Sequence, residues 1–197
     1  TPEALVRPTN RFLTVLLLGT ASLLAGTNAQ ANREGGFAPA VELGSERLAM
    51  RGSGTAYYAR LFRVYEAALY APAGSRAPDL VAGTAPRCLL IEYRRAVTRD
   101  IIATAADRVL QSQGVAIEPL QTRLVRLNAA YRDVAAGDRY QLCHAPGGDT
   151  RLSLNGEELI RIPGDDFAIA YFGIWLRDGA ISEDLRSALL GDGAPTT

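Results

Sequence analysis

An Asn-Gly pair at positions 155 and 156 constrains the fold of this chain more than any other short feature. The pair separates two segments with alternating apolar residues, 150–154 and 158–162. Both turn residues readily adopt the positive φ that a two-residue hairpin requires. A third strand-like segment, 139–145, precedes them across a Pro-Gly-Gly-Asp turn. The sequence therefore predicts an antiparallel meander of three strands.

The rest of the chain divides into further strands and helices. The first predicted strand covers 47–51 and is followed by a turn at Gly52, Ser53 and Gly54. The second is an aromatic-rich run over 57–70 that Pro72 ends, and the third covers 87–95. Helices are predicted from Thr98 to Gly114, from Pro119, over 167–176 and from Ser182 to Gly191, because each has a start signal and an apolar stripe or run. Strands and helices therefore alternate in blocks, which predicts an α+β fold with helices against an antiparallel sheet.

The first 31 residues have the three parts of a secretory signal peptide. Arg7 and Arg11 provide a positive start, 12–24 form an apolar run, and 29–31 read Ala-Gln-Ala, a small-residue cleavage site. The apolar run is shorter than the roughly 20 residues of a membrane-spanning helix. We therefore expect cleavage and a periplasmic or secreted protein without a later transmembrane segment. Residues 32–44 are predicted to be a flexible lead-in, 45–191 the domain and 192–197 a disordered tail.

Charge and residue types exclude several classes of function. The 21 basic residues balance 21 acidic ones, and all of the basic residues are arginine. A neutral chain lacks the basic face that a nucleic-acid partner needs, and without lysine there is no Schiff-base chemistry of a lysine amine. The one histidine, His144, has no recognisable nucleophile motif beside it and is predicted to be a half-buried strand residue. Neither a metal site nor a cofactor is expected.

Cys88 and Cys143 are the two cysteines of the chain, and each lies in a strand-like run. In an oxidising compartment the pair could form a disulfide. The alternative is two buried thiols on separate strands, and spacing alone does not distinguish these states.

Several dispersed segments resemble the bacterial chalcone isomerase-like proteins in sequence and in order. They are residues 62–70, 137–138, 146–150, 155–156, 162–168, 174–176 and 181–185. The resemblance covers roughly residues 45–191. It implies an open-faced sandwich, in which a large antiparallel sheet carries a layer of helices on one face with an apolar cleft between them.

The resemblance also identifies candidate site residues. Catalytic members have an arginine after a Gly-x-Gly turn, whereas here Gly54 is followed by Thr55. Tyr65 aligns with a strand threonine of the plant enzymes. A tyrosine at this position resembles the fatty-acid-binding branch of the family. Ile101, Arg108 and Ile169 align with polar catalytic positions on the helices. Arg108 could replace the missing cation, and Arg51, Arg60 and Arg94 are the alternatives.

The resemblance implies a protein that has lost the polar catalytic set. The leading hypothesis is a non-catalytic protein that binds a fatty-acid-like or other small amphipathic ligand at Tyr65, Ile101, Arg108 and Ile169. The alternatives are an isomerase that cyclises chalcone-like substrates to flavanones by intramolecular addition, and a structural or interaction protein of the cell envelope.

Overall fold

The computed structural model describes residues 36–59 and 61–191. The predicted signal peptide, the start of the lead-in, Arg60 and the predicted tail 192–197 lie outside the described residues. The strands are β1 (Ala40–Leu43), β2 (Glu46–Tyr58), β3 (Phe62–Ala71), β4 (Arg87–Tyr93), β5 (Arg139–His144), β6 (Asp149–Leu154) and β7 (Glu157–Pro163). The helices are α1 (Ala77–Ala82), α2 (Arg99–Ser112), α3 (Gln121–Ala130), α4 (Asp165–Leu176) and α5 (Glu183–Leu190).

The seven strands form one antiparallel sheet in the order β1 to β7. Each strand pairs with the next along the chain, so the sheet is a continuous meander that curls into a half-barrel. The predicted α+β fold with helices against an antiparallel sheet is thereby confirmed. The β6–β7 turn has positive φ at both Asn155 and Gly156, as the Asn-Gly pair predicts. Strand β1 lies within residues 32–44 and pairs with β2, so ordered pairing begins inside the stretch predicted to be a flexible lead-in.

The predicted turn at Gly52, Ser53 and Gly54 is wrong. Strand β2 continues through all three residues, and the chain reverses between Tyr58 and Phe62 instead. The glycines are needed because α5 crosses this part of β2 closely: a Cβ atom on Gly52 would lie 2.0 Å from the carbonyl oxygen of Ala188. A bulge between Met50 and Gly52 accompanies this crossing.

The helices pack on one face of the sheet and enclose the main core. Helix α4 is the central helix of this layer, and nine of its residues, from Phe167 to Leu176, are buried. Thr98 and Ser182 cap α2 and α5 as predicted, each accepting a hydrogen bond from a backbone N–H three residues later. None of the described helices is both long enough and apolar enough to span a bilayer.

The opposite face of the sheet has a smaller apolar cluster and a network of ion pairs. Cys88 and Cys143 face each other across β4 and β5 in this cluster and are joined by a disulfide. Beside the cluster, Glu92 lies between the guanidinium groups of Arg94 and Arg139. This face therefore combines a covalent link with a chain of charges.

Candidate ligand-binding cavity

A cavity of about 780 Å³ lies between the concave face of the sheet and helices α2 and α4. Apolar and aromatic side chains dominate its wall. The sheet contributes Ala56, Val64, Tyr65, Ile91, Tyr93, Tyr140, Leu142 and Leu152; the helices contribute Ile101, Ile102, Ala105, Ala106, Tyr171, Ile174 and Trp175. Such a volume and lining are typical of small-molecule sites.

Tyr65 places a hydroxyl group in this apolar wall. Its oxygen accepts a hydrogen bond from Nε1 of Trp175 at 3.0 Å, and its own proton is directed to no acceptor among the described residues. Burial raises the pKa of Tyr65 to about 12, although the Trp175 hydrogen bond partly opposes this shift. Tyr65 is therefore a neutral hydrogen-bond donor at physiological pH.

Tyr93 is the cross-strand neighbour of Tyr65, and the two ring centroids lie 5.8 Å apart. Its hydroxyl makes no hydrogen bond with another described residue. Burial raises the pKa of Tyr93 well above its ordinary value, and the surrounding tyrosines add to the shift. The cavity thus has two neighbouring, neutral hydroxyls that could hydrogen-bond to a ligand.

Three further tyrosines of the wall, which are buried, have their hydroxyls occupied by protein partners. The hydroxyls of Tyr131 and Tyr171 lie 2.6 Å apart in a buried hydrogen bond. The Tyr140 hydroxyl accepts from the backbone N–H of Arg132 at 2.8 Å and donates to its carbonyl at 3.0 Å. These three side chains shape the wall.

Arg95 is the charged residue among the described residues of the cavity wall, and it was not among the residues predicted from the sequence. Its guanidinium lies over the ring of Phe62, 5.9 Å from the centroid, and makes no salt bridge with the described carboxylates. Strand alternation could have identified it, because Arg95 follows β4 in the same phase as Ile91 and Tyr93, which also line the cavity.

The structure brings together two of the four predicted ligand-binding residues. Tyr65 and Ile101 line the cavity, whereas Arg108 and Ile169 do not. Arg108 lies about 10 Å along α2 from Ile101, beyond the last α2 residue that lines the cavity. Ile169 is about 200° around α4 from Tyr171 and faces Gly83 instead.

The alternative cations also lie elsewhere. Arg94 pairs with Glu66 and Glu92 on the opposite face of the sheet. The Nε atom of Arg51 donates to the carbonyl of Leu190, at the end of α5. Arg60 lies outside the described residues.

A second polar cluster is buried at the other end of β4 and contributes no residue to the cavity wall. His144 is fully buried rather than half-buried: Nε2 lies 3.0 Å from the Asp165 carboxylate, and Nδ1 lies 3.3 Å from the Thr150 hydroxyl. The nearby Arg87 guanidinium is also buried, lies 4.4 Å from the centroid of the Phe172 ring and hydrogen-bonds to no described residue. Burial lowers the pKa of Arg87 to about 10.

Among residues 36–59 and 61–191, no three His, Cys, Asp or Glu side chains come together as a metal site.

The seven-stranded curled sheet with its helical layer defines the class of protein as a chalcone isomerase-like fold. A family model described as chalcone isomerase-like matches residues 30–191, so the chain belongs to that family.

Comparison with individual proteins shows that this chain shares its fold with a protein of known structure. No curated protein sequence matches this chain. A solved structure of an Arabidopsis thaliana fatty-acid binding protein is similar to it, with a TM-score of 0.60 and 12% sequence identity over 79% of this chain and 91% of that one. At this level of identity the likeness is one of fold.

Proposed function

We propose that this protein binds a small amphipathic, fatty-acid-like ligand without transforming it. The observation that carries the proposal is the apolar cavity of about 780 Å³ between the sheet and helices α2 and α4. Burial of an aliphatic chain there stabilises the complex by about 25 cal/mol for each Å² of apolar surface removed from water. The similar fold of a fatty-acid binding protein supports the assignment.

The polar groups at the cavity suit a carboxyl or carbonyl group on the ligand. Tyr65 and Tyr93 offer neutral hydroxyl donors, and Arg95 offers a positive charge. Because burial keeps the pKa of Tyr65 at about 12, this hydroxyl is poorly suited to act as a base near neutral pH. The arrangement favours holding a ligand over proton abstraction.

Filling the cavity provides the sharpest test. Ala105 lines the cavity on α2, while Thr104 is its exposed neighbour outside the wall. Isothermal titration calorimetry with dodecanoate is expected to detect binding to the wild type and to Thr104→Trp. Ala105→Trp is expected to weaken binding by about tenfold or more, because the indole occupies the space of the aliphatic chain.

Native mass spectrometry of the purified protein complements the titration, because it detects a ligand carried from the cell. Equal dodecanoate affinity in Ala105→Trp and Thr104→Trp would contradict binding in this cavity. The absence of both titratable binding and co-purified lipid would overturn the ligand-binding proposal.

We also propose that the protein is exported to the periplasm or secreted. The positive, apolar and small-residue parts of residues 1–31 support export, and the disulfide between Cys88 and Cys143 is compatible with an oxidising compartment. Cell fractionation and the intact mass of the recovered protein test this proposal. A mature chain that begins at Asn32 is expected, and a cytosolic protein that retains residues 1–31 would contradict it.

A further inference from the structure

The exposed large apolar side chains of the described residues are concentrated at the opening of the cavity. Six of the seven belong to one group, here called the mouth surface: Tyr57, Tyr58, Leu61, Phe62, Ile101 and Ile181. Five of these six also line the cavity, and a residue that both lines it and is exposed must lie at its opening. Leu61, 80% exposed, does not line the cavity and lies in the chain reversal between Tyr58 and Phe62.

Three separate parts of the chain contribute to the mouth surface. They are the β2–β3 reversal, the first turn of α2 and the segment that precedes α5. Exposed apolar residues scattered singly are ordinary, but a contiguous patch around an opening is typical of an interaction site. Val125 on α3 is the seventh exposed side chain and lies outside the patch.

The chemistry of this patch fits the surface of a lipid bilayer. Tyr57 and Tyr58 are exposed aromatic residues with one polar end, the type that is enriched where a membrane meets water. Arg95 contributes a guanidinium without a salt bridge among the described residues, and none of the described wall residues carries a carboxylate. An arginine beside interfacial aromatics is attracted to anionic head groups.

We propose that the mouth surface docks on a bilayer with anionic head groups. The apolar side chains enter the outer part of the lipid, and Arg95 lies at the level of the head groups. The cavity then opens directly onto the membrane, so a ligand moves between them without exposing its aliphatic chain to water. Docking rests on the surface itself, whereas the transfer of a ligand rests on the proposed function.

Vesicle co-sedimentation tests docking directly. The wild-type protein is expected to sediment more strongly with vesicles of mixed phosphatidylcholine and phosphatidylglycerol than with phosphatidylcholine alone, and less strongly as salt is added. Leu61→Asp is expected to reduce partitioning by about tenfold, because it places a charge where an apolar side chain enters the lipid. Val125→Asp is the matched control and is expected to sediment like the wild type.

Binding of dodecanoate in the absence of vesicles separates the two proposals. Leu61→Asp is expected to retain wild-type affinity, which also demonstrates that the variant is folded. Ile181→Asp, from a different part of the mouth surface, provides a second docking variant. Docking that persists in a protein without dodecanoate binding would support the membrane surface and overturn only the ligand assignment.

Three results would overturn docking. The first is a wild-type protein that stays in solution with both kinds of vesicle. The second is an equal loss of partitioning in Leu61→Asp and Val125→Asp. The third is a wild-type dimer that Leu61→Asp converts to a monomer, which would make the mouth surface an interface between two copies of the chain.

Discussion

At the scale of single residues, His144 has an unusual electrostatic environment. Burial and the Arg87 guanidinium lower its pKa below the ordinary value, and the Asp165 carboxylate only partly offsets them. The neutral ring has a partner on each nitrogen, Asp165 at Nε2 and Thr150 at Nδ1. The fold therefore depends on an uncharged imidazole that joins β5, β6 and the start of α4.

This environment predicts a pH dependence of stability. The pKa of His144 is lower in the folded protein than in the unfolded chain. At a pH between these two values the unfolded chain binds more protons than the folded protein, so the free energy of unfolding falls as pH decreases below about 6.5. Urea unfolding across this range is expected to give a lower free energy on the acid side. Because His144 is the only histidine, His144→Gln is expected to remove this slope. An unchanged slope in the variant would contradict the assignment.

The residues of the site could be predicted from the sequence only in part. Tyr65 and Ile101, which the family resemblance pointed to, line the cavity, and their role in ligand binding stays a prediction. Arg108 and Ile169 could not be separated from true wall residues, because alignment to a motif does not reveal how far a cavity extends along a helix or which helical face is turned to it. The resemblance does not point to Arg95, because this residue aligns with none of the polar catalytic positions of the family.

At the scale of elements, the close crossing of α5 over β2 determines where small residues are required. A Cβ atom on Gly52 would meet the backbone carbonyl of Ala188 at 2.0 Å, and one on Gly54 would meet the Ala188 Cβ at 2.9 Å. Backbone atoms cannot move aside as the end of a flexible side chain can. The two glycines therefore serve helix packing, and this is why the turn predicted there is wrong.

Gly52→Ala is accordingly expected to lower the free energy of unfolding by about 3 kcal/mol, since either α5 or β2 must shift to accept the methyl group. Ser53 is exposed and lies between the two glycines on the same strand. Ser53→Ala is the matched control, with an expected change of about 0.5 kcal/mol or less. Equal free energies of unfolding for the two variants, measured by chemical denaturation, would show that the helix accommodates a larger residue.

At the scale of the whole molecule, the disulfide links strands that are 55 residues apart in sequence. It therefore closes a loop that includes α2, α3 and the connections between them. In the chain-entropy account, closing such a loop in the unfolded state is worth about 4 kcal/mol. The bond lies on the face opposite the cavity, so we expect it to affect stability more than ligand binding.

Reduction of the wild type is expected to lower the free energy of unfolding by about 2–4 kcal/mol. The double variant Cys88→Ala/Cys143→Ala is expected to have the stability of the reduced wild type and to be insensitive to reductant, because the chain has no other cysteine. Denaturation with and without dithiothreitol measures both effects. A reductant-insensitive wild type would show that the bond contributes little to stability.

The order of strands and helices from β4 onwards could be predicted because capping residues, the Asn-Gly turn and apolar spacing are local signals, whereas β1 and the β2–β3 reversal were not predicted. The α+β class follows from that order and is confirmed. The curl of the sheet and the cavity beneath it arise from contacts between distant segments, such as Tyr65 on β3 with Trp175 on α4. Such contacts leave no local pattern in the sequence, so the cavity could not be predicted from the sequence alone.

Trp175 is the single tryptophan of the chain, and it lines the cavity with its indole nitrogen on the Tyr65 hydroxyl. The protein therefore contains one indole fluorophore, positioned where a ligand would lie. Selective excitation of the indole reports the polarity of the cavity without any label, and an aliphatic occupant should shift the emission to shorter wavelength. Lipids that carry a quencher would make the same signal a measure of how near the cavity comes to a bilayer.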